Sequence, residues 1–171
     1  MQGIRCAYCE SNIYSGGHIE HFRRKRDYPN LCFVWENLFL SCDSNKYCGH
    51  YKDRRRASPY NPDDLIKPDN DDPEDYFYFH STGEIRIRGG ISEDKEAKAE
   101  ETLRVFNLNQ SGLVASRAHA LKSYRRQAAD VLEALMEFDE ADRQAFIQDE
   151  IESTRDDEYA TTIQHFFETF H

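Results

Sequence analysis

The chain has 171 residues, 39% hydrophobic and 13% aromatic, with 32% charged and a mean hydropathy of -0.85. That suffices for one compact domain, or a small module with a larger helical companion, and no apolar run reaches membrane-spanning length. MQGIRCAYCE carries no secretory pattern, so a cytoplasmic protein is expected. The net charge of -10 argues against unaided tight binding of nucleic acid, yet it is unevenly placed. Residues 1–60 balance to +4 and residues 61–171 to -14, which points to a small basic site and an acidic body that faces a partner.

All five cysteines, Cys6, Cys9, Cys32, Cys42 and Cys48, fall in the first 48 residues. An odd count without an export signal disfavours a disulfide framework. Cys6-Ala7-Tyr8-Cys9 is a C-x2-C knuckle, and Cys42/Cys48 is a wider second pair. Four thiolates suit tetrahedral zinc, and a segment with so little core of its own needs such a staple. Cys32, outside the pairs, reads as a small buried hydrophobe.

Between the pairs stands HIEHFRRKR, residues 18 to 26. Taken alone it reads equally as a reaction centre, a metal site or a histidine-rich polar strand. In a regular strand Glu20 and His21 would point to opposite faces, whereas His18 and Glu20 would share one. CFVWENLFL, from Cys32 to Leu40, predicts one strand or two short ones ending at Cys42, with Trp35 in the core. A short helix is expected from Cys48 through Tyr51, Lys52 and Arg54 to Arg56, ended by Ser58-Pro59-Tyr60-Asn61-Pro62. Residues 61–75 are acidic and proline-punctuated, a boundary loop. Tyr76 to His80 and Glu84 to Arg88, flanking Ser81-Thr82-Gly83, predict a β-hairpin.

From Ser92 the chain reads as helical. The first helix runs from Glu93 to about Asn107, with Ser92 as N-cap and Leu103 and Phe106 on one stripe. The second, Ser111 to Phe138, spaces Leu121, Leu132, Leu135 and Met136 for a buried face. Asp139 caps a third holding Phe146, Ile147 and Ile151. A fourth, roughly Asp156 to Phe170, holds Tyr159, Ile163, Phe166, Phe167 and Phe170. That last stripe is either core or a contact for a partner. The expected parts are a zinc-stapled module over residues 1–60, an acidic loop and hairpin over 61–91, and a helical partner-docking region over 92–171.

The order C-x2-C, Glu20-His21, Trp35-Glu36-Asn37-Leu38, Leu40-Ser41-Cys42, Cys48-Gly49-His50-Tyr51-Lys52 resembles the HNH endonucleases of the ββα-metal, zinc-knuckle type. CAYCE, HIEHFRRK, WENLFLSC and CGHYK are similar to the HNH subunits of the Septu anti-phage system (PtuB) and to retron-associated HNH proteins. The likeness continues through DPEDYFYF and ETLRVFNLN. It implies an α+β fold, a treble-clef-like ββα-metal nuclease module followed by the hairpin and a mainly helical C-terminal part. It also implies structural Zn2+ on Cys6, Cys9, Cys42 and Cys48.

The same resemblance implies hydrolysis of nucleic-acid phosphodiesters, DNA being the expected substrate, with Mg2+ or another divalent cation and an ATPase partner (PtuA-like). His21 would be the general base, Glu20 a ligand of the catalytic cation, and Asn37 would orient the base or fix the loop around it. Many HNH proteins place asparagine after the last cysteine. This chain has Gly49 there, which leaves His50 as the candidate third metal-site residue. Imidazole can take a proton from water, and a divalent cation neutralises charge gathering on the phosphate. Arg23, Arg24, Lys25 and Arg26, with Lys52, Arg54, Arg55 and Arg56, would grip the backbone without reading sequence. Two other classes remain open, a non-catalytic zinc-stapled adaptor and an HNH-type ribonuclease toxin. Metal analysis of the purified chain should find zinc that a Cys6→Ala exchange removes; an unchanged zinc content would exclude the tetrathiolate.

Overall fold

Two five-residue segments, β1 (Gly17–His21) and β2 (Leu38–Cys42), pair antiparallel. They are drawn from a computed structural model that describes residues 3–14, 16–135 and 139–170, and the side chains of all these except 127–135 and 170. His18 lies opposite Ser41, Ile19 opposite Leu40 and Glu20 opposite Phe39. Side chains alternate across a strand, so His18, Glu20, Phe39 and Ser41 share one face, and Ile19 and Leu40 the other. The first face meets α1 (Cys48–Lys52), whose Gly49 N–H donates to Ser41 Oγ at 3.2 Å. The second leaves Ile19 and Leu40 in solvent.

The segment between the strands departs from its predicted form. Pro29–Leu31 and Trp35–Asn37 are 3-10 turns, and extended pairing begins only at Leu38. Asn37 N–H closes the second turn on Val34 O at 3.0 Å, which swings the preceding side chains outward. Phe33 and Trp35 are therefore 93% and 81% exposed, and Trp35 is not the core residue its size suggests. Helix α1 is also shorter than expected. Asp53 leaves the helical region at φ -95, ψ 4, and Arg54, Arg55 and Arg56 offer no apolar face whose burial would sustain further turns.

Further on, the structure follows the predicted order. β3 (Phe77–Phe79) and β4 (Ile85–Ile87) form a two-stranded sheet around a turn at Gly83. α2 (Glu93–Phe106) starts where Ser92 Oγ accepts from Lys95 N–H, and ends at Asn107 in the left-handed region, φ 51. α3 (Ser111–Leu135) follows, then α4 (Glu140–Ser153), capped by Asp139, which accepts from Asp142 N–H at 2.9 Å. The last helix, α5 (Ala160–Phe167), begins four residues later than expected, behind Tyr159 held at φ 61, and passes into a 3-10 turn over Glu168–Phe170. Among the described residues no helix is long and apolar enough to cross a membrane.

The chain divides into two compact units. One gathers the residues up to Tyr78 together with Ile85–Gln110; the other gathers Phe79–Glu84 and the chain from Ser111. In the first, Tyr8 stacks on Phe106 at 4.1 Å between ring centroids, and Phe39 packs edge-on against Phe22. The acidic connection joins this unit through buried Leu65 and Ile66, whose N–H donates to Thr102 Oγ1 at 2.9 Å.

In the second unit, Leu121, Ile147, Ile163, Phe166 and Phe167 form the core, with Tyr124 and Ile151 against it. Phe166 and Phe167 are thus interior side chains, and the docking role offered for them is withdrawn. Leu132, Leu135, Met136 and Phe170, also named as apolar-face positions, lie outside the residues whose side chains are described, as does the expected helix end at Phe138. Within this unit Gly83 sits at φ +88, and an added Cβ would collide with the Val114 carbonyl oxygen and lie 2.9 Å from Ala118 N. Gly83→Ala should therefore destabilise the chain by ~2–3 kcal/mol in urea unfolding, the sum of left-handed strain and overpacking.

Candidate metal and catalytic site

The knuckle is built by local hydrogen bonds. Cys6 N–H donates to Ser11 O at 2.9 Å, Glu10 N–H returns to Cys6 O at 3.0 Å, and Ala7 N–H reaches Leu40 O on β2 at 2.9 Å. Cys42 ends β2 and Cys48 opens α1 at φ 60, so the loop 43–47 bulges between the second pair. All four thiols are buried, and their sulfurs lie within 4.8 Å of one another. A zinc–thiolate bond of about 2.3 Å sets tetrahedral sulfur–sulfur edges near ~3.8 Å; Cys9 Sγ and Cys42 Sγ stand 3.9 Å apart. The donor set and its spacing fit one zinc ion.

The thiols also shape one another's ionisation. Burial would push Cys6 up, but hydrogen bonds with the Cys42, Cys48 and Cys9 thiols outweigh it and hold Cys6 well below its ordinary value. Burial raises Cys48 well above its own. Cys32 is half-buried, not a core residue, and its sulfur lies 3.7 Å from His21 Nε2.

At the end of β1, His21 Nε2 lies 3.0 Å from the Cys32 carbonyl oxygen. A carbonyl only accepts, so Nε2 carries the hydrogen, and in the neutral ring Nδ1 holds the lone pair. Asn37 is buried and holds the loop that makes this contact. Its Oδ1 accepts from Arg23 N–H at 2.7 Å, and its Nδ2 donates to the carbonyls of Arg23 and Leu31, each at 3.1 Å.

Glu20 is 2% exposed. Its carboxylate accepts from Tyr8 Oη and meets Lys52 Nζ at 2.5 Å. Lys52 also lies 2.9 Å from Asp53 Oδ1 and donates to the carbonyls of His21 at 2.8 Å and Phe22 at 3.3 Å. Burial raises the Glu20 carboxyl above its ordinary value, outweighing Lys52, which pulls it down. Burial also opposes the Lys52 ammonium, but Glu20 and Asp53 outweigh it and raise its pKa. The short separation and the raised lysine together favour a charged pair with the proton on Lys52. The ammonium therefore ties α1 to the backbone carrying His21, and it is withdrawn from the surface where a phosphate would be gripped.

The other proposed backbone contacts are mixed. Arg23 pairs with Asp63, and Arg24 with Asp53 and the Lys52 carbonyl. Arg26 pairs with Asp27, and Arg54 lies 3.5 Å over the Tyr51 ring. Lys25, Arg55 and Arg56 are exposed. Besides the cysteines, a second group of potential metal ligands comes together: His18, Asp43 and His50. His50 was expected at such a site, His18 was read as a neighbour, and Asp43 was not singled out. Glu20 is in neither group. Burial, then the neighbouring His50, lowers the pKa of His18, while Asp43 pulls it up.

The chain thus carries four clustered thiols beside a small antiparallel sheet and a short helix, and comparison with known proteins supports an HNH relationship. The chain is 28% identical over 157 residues to the Septu protein PtuB of Bacillus mycoides (strain KBAB4), covering 77% of this chain and 52% of that protein. It is 29% identical over 113 residues to the Septu protein PtuB of Bacillus thuringiensis, covering 64% and 38%. It is 27% identical over 122 residues to the candidate HNH endonuclease of retron Vc95 from Vibrio cholerae serotype O1 biovar El Tor, covering 66% and 56%. The matches thus span about half the length of these relatives or less. No protein-family model matches the chain.

Lys52→Met should destabilise the first unit by ~3–5 kcal/mol, because it strands a buried carboxylate. Chemical denaturation would measure the loss, and adding Glu20→Gln should recover part of it. A double variant no more stable than Lys52→Met would contradict the charged pair.

Proposed function

We propose that the chain is a metal-dependent HNH-type endonuclease that hydrolyses nucleic-acid phosphodiesters, with DNA as substrate. In this reading it is the effector of a prokaryotic anti-phage complex with an ATPase subunit. The observation that carries the reading is His21. It stands at the end of a strand tied into the cysteine cluster, its Nε2–H is committed to the Cys32 carbonyl, and its Nδ1 can accept a proton. The names of the Septu and retron relatives support the defence role.

His21 takes the proton from the attacking water at Nδ1. Asn37 keeps Cys32 and the Arg23 backbone in register with it, and Lys52 fixes the His21 carbonyl from the other side. A divalent cation, when bound, neutralises charge on the phosphate and stabilises the leaving oxygen. Glu20 could serve as a ligand only after parting from Lys52; His50 stands ready without such a change. Lys25, Arg55 and Arg56 are the exposed cations best suited to the backbone. A basic module attached to an acidic body makes a weak grip alone, and the ATPase partner supplies engagement of DNA while the acidic helical part docks it.

In the co-purified complex, His21→Ala should lower plasmid cleavage with Mg2+ or Mn2+ by ~10²–10⁴-fold. Equal cleavage by the variant would remove His21 as the base. Cleavage of tRNA with plasmid left intact would favour the ribonuclease toxin, and cleavage of neither would favour the adaptor.

A further inference from the structure

His18, Asp43 and His50 come from three places in the fold: β1, the residue after β2, and α1. His18 Nδ1 lies 3.3 Å from Asp43 Oδ1, and His50 Nε2 lies 3.7 Å from the same oxygen. The two imidazoles stack at 3.8 Å between centroids and 14° between planes. A ligand atom from each of the three groups lies within 4.8 Å of the others.

Two imidazole nitrogens and a carboxylate oxygen converge here, a donor set in which neutral imidazoles would offer lone pairs and the carboxylate charge to a divalent cation.

Two glycines approach the group closely. An added Cβ at Gly49 would lie 3.1 Å from His18 Nε2 and clash with Glu20 Cγ. An added Cβ at Gly16 would lie 3.1 Å from Asp43 Oδ2. Glycine at both positions keeps a side chain from pressing on a ligand. The cysteine cluster does the rest, because Asp43 follows Cys42 and His50 stands two residues past Cys48, so the staple that orients the thiols also orients these groups.

We infer that His18, Asp43 and His50 form a second metal site, separate from the tetracysteine cluster, that takes a first-row divalent cation such as Zn2+, Co2+ or Ni2+. Two nitrogens and one oxygen suit such ions better than Mg2+ or Ca2+, which prefer oxygen throughout. Three protein ligands at a largely exposed site leave positions open for water or a phosphate oxygen. Relative to the catalytic set anticipated from the resemblance, His50 is kept and Glu20 gives way to His18 and Asp43. Binding here does not depend on whether His21 supports hydrolysis.

The test is a Co2+ titration of the untagged 171-residue chain stripped of metal. Two equivalents per chain are expected, one giving thiolate-to-cobalt charge-transfer absorption and one lacking it. His18→Ala and His50→Ala should each weaken the second equivalent tenfold or more while the thiolate band persists, which also shows that the variants fold. Zn2+ should displace the second Co2+, and equimolar Mg2+ should not. A single equivalent in the wild type, a second equivalent bound as tightly by both variants, or displacement by equimolar Mg2+ would overturn the site.

Discussion

The clustering of four buried thiols is the constraint on which the first unit depends. The knuckle contributes two, the end of β2 the third and the start of α1 the fourth, so one point anchors three pieces of chain otherwise held by few residues. The cluster makes a five-residue strand pair and a five-residue helix stand in a defined relation, which elements of that length could not maintain alone. Two of the chain's unusual left-handed residues, Glu10 and Cys48, sit at or beside cluster ligands, where such conformations are enforced by their surroundings.

A second layer of order is electrostatic. Lys52 reaches from the end of α1 into the interior and meets Glu20, Asp53 and two backbone carbonyls, one of them that of His21. Its charge is buried yet surrounded by acceptors, the condition under which a buried cation is tolerated. The consequence for function is a division of labour along β1. Glu20 is bound inward, His21 is held on the opposite side by the loop, and His18 is left near the surface beside Asp43 and His50.

Much of this was legible in the residues. C-x2-C and the second cysteine pair mark the buried four-thiol cluster, whose donor set suits a metal ion. The hairpin around Gly83, Ser92 as the cap of α2 and Asp139 as the cap of α4 follow from local hydrogen-bonding chemistry, and the structure keeps each. Trp35 and Phe33 were not legible, because size and apolarity say nothing about a 3-10 turn that faces them outward. Asp43 escaped notice because an aspartate in a polar loop has no signature until other ligands approach it. Strand alternation did foretell that His18 and Glu20 would share a face; it could not say that Lys52 would occupy one of them.

By itself, then, the sequence determined most of the elements, the caps of α2 and α4 and the grouping of four thiols, because these depend on neighbours a few residues apart and on side-chain chemistry. Only the tertiary structure decided which acid meets Lys52 and which meets two histidines. Glu20 and Lys52 are 32 positions apart, and His18 and Asp43 are 25 apart. Such pairings arise when α1 closes on the face of β1 and β2, and no local pattern encodes them. The long-range contacts settled which groups face one another.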